Sequence, residues 1–428
     1  MNMLFLLVFV IMMLCGIPVA FSIGISSVLG MAMNQGIQWG TLASSSLSGI
    51  NSFTFLAIPL FLMAGKLMNT GGITHRLFRF AKDLVGWLPG GLGHVNVICS
   101  VIFAGMSGSA VADAGGLGAI ELKAMRDDGF DDDFTCGVSA CSSMLGPMIP
   151  PSIPLIVYGT ISGASIGALF LAGVLPGVLM ALIMMAVVFV YAAVKKYPRS
   201  KFPTVHEFVT GFKEAFLSLL TVVIILLGIY TGIFTATEAA AIVVLYAMFL
   251  SVVVYKEVSL KDLGVMIMET VHDSATIGLI VAFSAMFGSV LVRSMVPQKI
   301  AMAISGVVTN KVMLILLINV FLLVVGMFMD ATAAITILVP ILLPLIKTWG
   351  ISPVQFGIMF VLNMGIGSLT PPFGILIFVM SKVSGLPAIR LIKAYIPWIA
   401  AMIAALLLIS FIPQLSLALP IAAHYAVF

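Results

Sequence analysis

The chain has 428 residues, 61% of them hydrophobic and only 8% charged, whereas soluble domains carry about 25% charged side chains. That composition excludes an ordinary water-soluble domain. Twenty Lys and Arg against sixteen Asp and Glu leave a formal charge of +4, too small and too dispersed for a nucleic-acid partner.

At about 20 apolar residues per transmembrane helix, the apolar content suffices for roughly ten crossings with short loops. The expected fold is an all-α polytopic membrane protein whose surroundings are the lipid bilayer. Forty glycines suit helices packed closely in lipid. Cys15, Cys99, Cys136 and Cys141 lie in apolar stretches without a Cys-x-x-Cys pair, and read as buried small hydrophobes. Met1 to Leu14 lacks a positively charged start, and Leu14 is too large for a cleavage site, so this segment is expected to stay as a first span.

Hydropathy predicts crossings over residues 1–15, 17–34 and 53–69. His75 to Gly91 mixes Arg76, Arg79 and Lys82 with Leu77, Phe78 and Trp87, the pattern of an amphipathic helix lying on a membrane surface. A broken apolar pair follows over about 92–126, then the acidic turn Asp127, Asp128, Asp131, Asp132 and Asp133, which reads as solvated. Crossings at 133–160 and 171–194 complete the first half. The second half repeats the order at 213–233, 237–255 and 271–293, then an interfacial segment Val296 to Val308, a broken pair over about 311–347, and crossings at 354–381 and 388–412.

The repetition is an internal duplication, visible when the chain is slid along itself in one constant register. Gly105-Met106 falls on Gly326-Met327, Pro150-Pro151 on Pro371-Pro372, and Pro176 on Pro397. The chain therefore divides into units 1–205 and 206–428. Five crossings per unit is an odd number, so the second unit enters the membrane from the opposite face, an inverted-topology repeat. Charge gives an independent check: this threading leaves only Arg293, Lys299, Lys311 and Lys347 on one side and the other 16 basic residues opposite. By the positive-inside rule the crowded side is cytoplasmic and both termini are expected outside, in the periplasm.

Four breaks carry the chemistry. Gly105-Met106-Ser107-Gly108-Ser109 and Gly326-Met327-Phe328-Met329-Asp330 read as tips of two re-entrant hairpins, one dipping from each face. Gly146-Pro147-Met148-Ile149-Pro150-Pro151-Ser152 and Gly365-Ile366-Gly367-Ser368-Leu369-Thr370-Pro371-Pro372 should each split a span into two half-helices, because consecutive prolines cannot donate backbone hydrogen bonds. The ends of half-helices bind ions. Sodium, a hard cation, wants oxygen, and Ser107, Ser109, Ser368, Thr370 and the Asp330 carboxylate supply it beside the glycine-opened backbone at Gly105, Gly326 and Gly367. Two pseudo-symmetric sodium sites follow as an expectation, one per tip and facing loop.

Ionisable groups within spans are functional candidates. Asp330 leads them. Asp113, one turn beyond Ser109, either contacts substrate or stabilises the helix start. Glu238 reads as a helix cap, and Glu269 and Asp273 as solvated. Arg293 ends a long apolar run, where its guanidinium either clamps a carboxylate substrate or snorkels to the interface. Ser152, at the first loop, joins Arg293 and Asp113 as a candidate substrate contact. No enzyme is expected: His94 is remote from the Ser107-Gly108-Ser109 tip, no strand precedes Gly115-Gly116-Leu117-Gly118, and no Walker Gly-Lys-Ser/Thr is present.

At its paired breaks the chain resembles the large membrane subunit of tripartite ATP-independent periplasmic (TRAP) transporters. The resemblance rests on Gly105 to Asp113, Gly146 to Ser152 and Gly367 to Pro372 together, and spans essentially the whole chain. It implies a sodium-driven importer of organic acids, working with a small four-helix membrane subunit and a periplasmic substrate-binding protein in the bacterial inner membrane. It implies an elevator mechanism, with sodium ligands at and around Ser107, Ser109, Asp330 and the Thr370 loop. Arg293 resembles the family's arginine implicated in sialic acid transport, which favours that substrate. The alternative is a stand-alone sodium-coupled C4-dicarboxylate transporter or exchanger. An intramembrane serine enzyme at Ser107 or Ser109 is the remaining, remote class.

Overall fold

The computed structural model describes residues 4–33, 39–296, 298, 299, 302 and 308–428, and they form an all-α fold. Helices α1 (Leu4–Leu14), α2 (Val19–Met33), α3 (Trp39–Ile50), α4 (Ala57–Thr70) and α5 (Ile73–Val85) come first. The first hairpin comprises α6 (Gly91–Ser107), a short turn Ala110–Ala112, a widened π turn Asp113–Leu117 and α7 (Gly118–Asp127). Next come α8 (Asp132–Ser142), α9 (Ile153–Ser162) and α10 (Ile166–Lys195).

The second half runs α11 (Val205–Tyr230), α12 (Ala236–Met248) and α13 (Leu260–Arg293), then the second hairpin, α14 (Lys311–Gly326) and α15 (Ala331–Thr348). It closes with α16 (Pro353–Ser368), α17 (Ile375–Ser384), α18 (Ala388–Phe411) and α19 (Gln414–Ala422). Seven helical stretches among the described residues are long and apolar enough to cross a membrane, so the chain is an integral membrane protein. The expected crossings at 133–160 and 354–381 are each two short helices, α8 with α9 and α16 with α17, joined by irregular chain at the proline pairs.

The helices group into two bodies. Helices α1 to α5 pack with α11 to α13, whereas the hairpins, the broken helices, α10, α18 and α19 pack with one another. The bodies meet where α6 lies against α4 and α5, and where α15 lies against α13. A small apolar cluster seals the second contact, with Phe5, Ile23, Phe287 and Val290 on Ile337 and Ile341.

Several expectations are corrected by tertiary packing. Cys15 is exposed rather than buried. The crossing expected at 271–293 begins at Leu260, because the reciprocal capping of Ser259 and Asp262 starts the helix early. Glu269 and Asp273 are not merely solvated: both reach Lys66 of α4, at 3.1 and 2.8 Å. The acidic turn is likewise tied down. Asp131 accepts the Phe134 N–H and the Tyr197 hydroxyl, Asp132 pairs with Arg126 at 2.7 Å, and Asp133 with Arg390 at 2.6 Å. Burial pushes the Asp131 carboxyl up, but the Tyr197, Phe134 and Lys195 contacts outweigh it and hold the group below its ordinary range.

The amphipathic segment is helix α5, and protein covers much of its apolar face: Phe80 packs on Phe208 and Phe212 of α11. Its basic face pairs Arg76 with Glu257 at 3.0 Å and Arg79 with Glu214 at 2.6 Å. The expected outer segment Val296 to Val308 falls largely outside the described residues. Glu238 does cap, closing a reciprocal box with Thr235 at the start of α12. Helices α3 and α19 have no counterpart among the expected elements.

Close backbone approach holds the broken segments together. A Cβ on Gly367 would lie 2.5 Å from backbone atoms of Gly326, and one on Gly146 3.0 Å from the Ser109 carbonyl carbon. Gly108 has φ +61°, and a Cβ there would lie 2.5 Å from the Pro151 oxygen. Backbone cannot yield as a side chain can. Gly367→Ala should therefore destabilise the purified protein by roughly 1–3 kcal/mol. Gly264→Ala, in an open stretch of α13, should be neutral or stabilising by up to about 1 kcal/mol. Thermal unfolding in one detergent checks both.

Candidate functional site

Each hairpin turns through a few non-helical residues, the last of which caps the helix that follows. After α6, Gly108 takes the left-handed conformation and Ser109 becomes extended. The Ser109 hydroxyl accepts the Ala112 N–H at 3.4 Å, and the Ser107 hydroxyl accepts the Ser109 N–H at 3.5 Å. After α14, Asp330 is extended and its Oδ2 accepts the Thr332 N–H at 2.8 Å. Ser109 and Asp330 fall on each other in the repeat register: the same position performs the same capping task in both halves.

The facing loops are also matched. Ser152 starts α9, accepting the Leu155 N–H at 3.2 Å while donating to the Pro147 carbonyl at 2.5 Å. Opposite it, Ser368 donates to Gly365 O at 2.6 Å and Thr370 to Ile366 O at 2.9 Å. The peptide bonds Pro150-Pro151 and Pro371-Pro372 are both cis.

These four breaks converge on one cavity of about 220 Å³, whose wall includes Ser109, Pro147, Asp330, Thr332, Gly365 and Ser368. Helices α9 and α16 supply its apolar side through Ile153 and Val361. The capping bond leaves Asp330 one carboxylate oxygen, and the Ser109 and Ser368 hydroxyls keep acceptor capacity. That oxygen set suits a hard monovalent cation in an apolar enclosure.

The other sequence-selected residues fall elsewhere. Ser107 is buried beneath the tip. Gly105 faces Val222 of α11, and Gly326 and Gly367 face each other, so these glycines shape the backbone behind the cavity. Thr370 and Ser152 stand behind the wall with their hydroxyl protons committed inward. Asp113 is buried inside the first hairpin.

Arg293 lines a separate cavity of about 520 Å³ between the two bodies, with Ser48, Ser52, Thr160, Ser289 and Thr336 around it. No carboxylate of the described residues lies within ion-pair distance of its guanidinium. The hydroxyls of this cavity escaped the sequence reading. A signal was present, since Val281, Ser284, Ala285, Gly288, Ser289, Val292 and Arg293 recur at helical spacing along one stripe of α13.

Paired hairpins and discontinuous helices around an oxygen-bearing cavity define the class: an α-helical secondary transporter. A family model described as tripartite ATP-independent periplasmic transporter, DctM component, matches residues 6–415. The chain belongs to that family, whose members are transport permeases and not enzymes. It is 43% identical to the sialic acid TRAP transporter large permease protein SiaM of Vibrio cholerae, over 96% of both chains. It is 39% identical to the sialic acid TRAP transporter permease protein SiaT of Haemophilus influenzae, over 96% of this chain and 67% of that one. Its identity to the C4-dicarboxylate TRAP transporter large permease protein DctM of Pseudomonas aeruginosa is 38%, over 93% of both. Among solved structures, the Alcanivorax borkumensis YdaH transporter shares the fold, with a TM-score of 0.63 at 13% identity, over 91% of this chain and 96% of that one.

Asparagine caps a helix as well as aspartate does. Asp330→Asn should therefore keep thermal stability within about 0.5 kcal/mol while removing the charge that faces the cavity. The expected outcome is that the unmutated protein melts higher in sodium than in choline and that this difference is lost in Asp330→Asn.

Proposed function

We propose that this chain is the sodium-coupled permease of a three-part importer of organic acids in the bacterial inner membrane, with sialic acid as the leading substrate. The cavity shared by Ser109, Asp330 and Ser368 carries the reading. Both hairpin tips deliver oxygen to one cavity, as a cation carried with substrate requires. The two hairpins and their broken helices form the body that moves, and α1 to α5 with α11 to α13 the frame against which it slides, an elevator.

Arg293 and its ring of hydroxyls are the organic-acid contact, since a guanidinium grips a carboxylate with two parallel hydrogen bonds and hydroxyls match a polyhydroxylated sugar acid. Identity to the sialic acid permeases supports this substrate over a dicarboxylate. A small four-helix membrane subunit and a periplasmic substrate-binding protein complete the assembly, and both chain termini face the periplasm.

The electrical driving force suffices. Two sodium ions entering through ~100 mV release ~4.6 kcal/mol and one carboxylate costs ~2.3. The remaining ~2.3 kcal/mol sustains roughly fiftyfold accumulation before any sodium gradient is counted.

Proteoliposomes holding the chain and its small subunit, supplied with the loaded binding protein, provide the test. Sialic acid uptake should require sodium and exceed succinate uptake. Arg293→Lys, which keeps the charge but loses the two-pronged grip, should raise the apparent KM about tenfold or more. Succinate uptake by the chain alone would instead establish the stand-alone dicarboxylate carrier.

A further inference from the structure

The first hairpin contains an ionisable group that neither the cation cavity nor the substrate contact uses. Glu121 of α7 is 1% exposed. Its Oε2 accepts one hydrogen bond, from Asn96 Nδ2 at 2.6 Å, and its Oε1 has no partner. Asn96 continues the network to Ser139 at 2.7 Å and accepts the Ser142 hydroxyl at 2.7 Å, and Ser100 donates to Ser142 at 3.0 Å.

Every element around Glu121 withholds a positive charge. Helix α6 presents Asn96 and Cys99, the π turn presents Asp113, itself buried with a free Oδ2, and α8 presents Ser139. The basic residues of the neighbouring helices do not pair with it: Lys123 and Lys382 are exposed, and Arg126 binds Asp132 and the Ser384 carbonyl. A buried carboxylate with one hydrogen bond, no cation and a second carboxylate beside it is among the costliest arrangements a protein can hold.

The second half of the chain is an internal control. It too has a polar bond from the first hairpin helix across to the broken helix, with Asn363 Nδ2 donating to Asn319 Oδ1 at 2.9 Å, although the register matches Asn96 to Leu317 and Asn319 to Ile98. At the positions that the repeat register matches to Asp113 and Glu121 it carries Ala334 and Leu342, both buried. Packing such a hairpin therefore needs no acid there. The acids of the first hairpin are retained for another reason.

We propose that Glu121 is a proton-binding site, its side chain held as the neutral acid inside the first hairpin beneath the cation cavity. A proton needs no cavity of its own and removes the uncompensated charge. A neutral acid also lets the polar cluster shift within the membrane field without moving net charge, whereas each charge moved through ~100 mV changes the energy by ~2.3 kcal/mol.

The unmutated protein can report this, because Glu121 is isolated among its six glutamates. The other five are exposed and each is already engaged: Glu207 and Glu238 in capping boxes, and Glu214, Glu257 and Glu269 with Arg79, Arg76 and Lys66. Infrared spectra of the purified chain at neutral pH would be compared with and without carbon-13 in the glutamate carboxyls. The expected result is a carboxylic-acid C=O band that shifts on labelling and is lost in Glu121→Gln. Coincident labelled and unlabelled spectra in the acid region would mean that all six glutamates are ionised, overturning the assignment. A label-sensitive acid band surviving in Glu121→Gln would overturn it equally.

Discussion

In hydrocarbon, a backbone N–H or C=O without a partner costs several kcal/mol, and this chain interrupts helices within its apolar segments. Each interruption is met locally. Ser109, Asp330 and Ser152 cap the helices that restart, and glycines let one backbone lie directly on another where side chains would intrude. The same solution creates function, because a capping residue at a helix restart is an oxygen held in an apolar place. Ser109 and Asp330 serve the fold through the hydrogen bond they accept and, in the proposed mechanism, serve chemistry through the lone pairs left over.

The two halves solve the problem with different residues. The first hairpin caps with a neutral serine and carries two buried acids behind its tip; the second caps with an acid and has Ala334 and Leu342 at the matching positions behind it. One body thus has a carboxylate facing the proposed cation cavity from one side and acidic groups enclosed on the other. The Arg293 cavity lies where α13 of one body faces α15 of the other. In the proposed mechanism a substrate gripped there spans the sliding surface, which makes relative movement of the bodies sensitive to its presence.

Much of this was legible in the sequence because its signals are local. Proline pairs forbid continuous helices, the register of the duplication pairs the breaks, and Ser109 and Asp330 precede apolar runs as capping residues do. The features that escaped depend on partners distant in the chain. Nothing near Glu269 or Asp273 announces Lys66, which belongs to the other half of the chain. The bond of Asp133 to Arg390 likewise emerges only once α8 lies beside α18. Glu121 drew no notice because an acid beside Lys123 and Arg126 near a helix end looks solvated; only the packing of α6 and α8 reveals that it is enclosed.

The central claim is that the broken segments exist to hold an alkali cation between the hairpin tips. It is tested most directly by experimental density for the complex in sodium and in choline at matched resolution. The account predicts a sodium-dependent peak within coordination distance of Asp330 and bounded by the Ser368 loop. Identical maps with that cavity vacant of any ion in both salts, or continuous helices through 146–152 and 365–372, would contradict it.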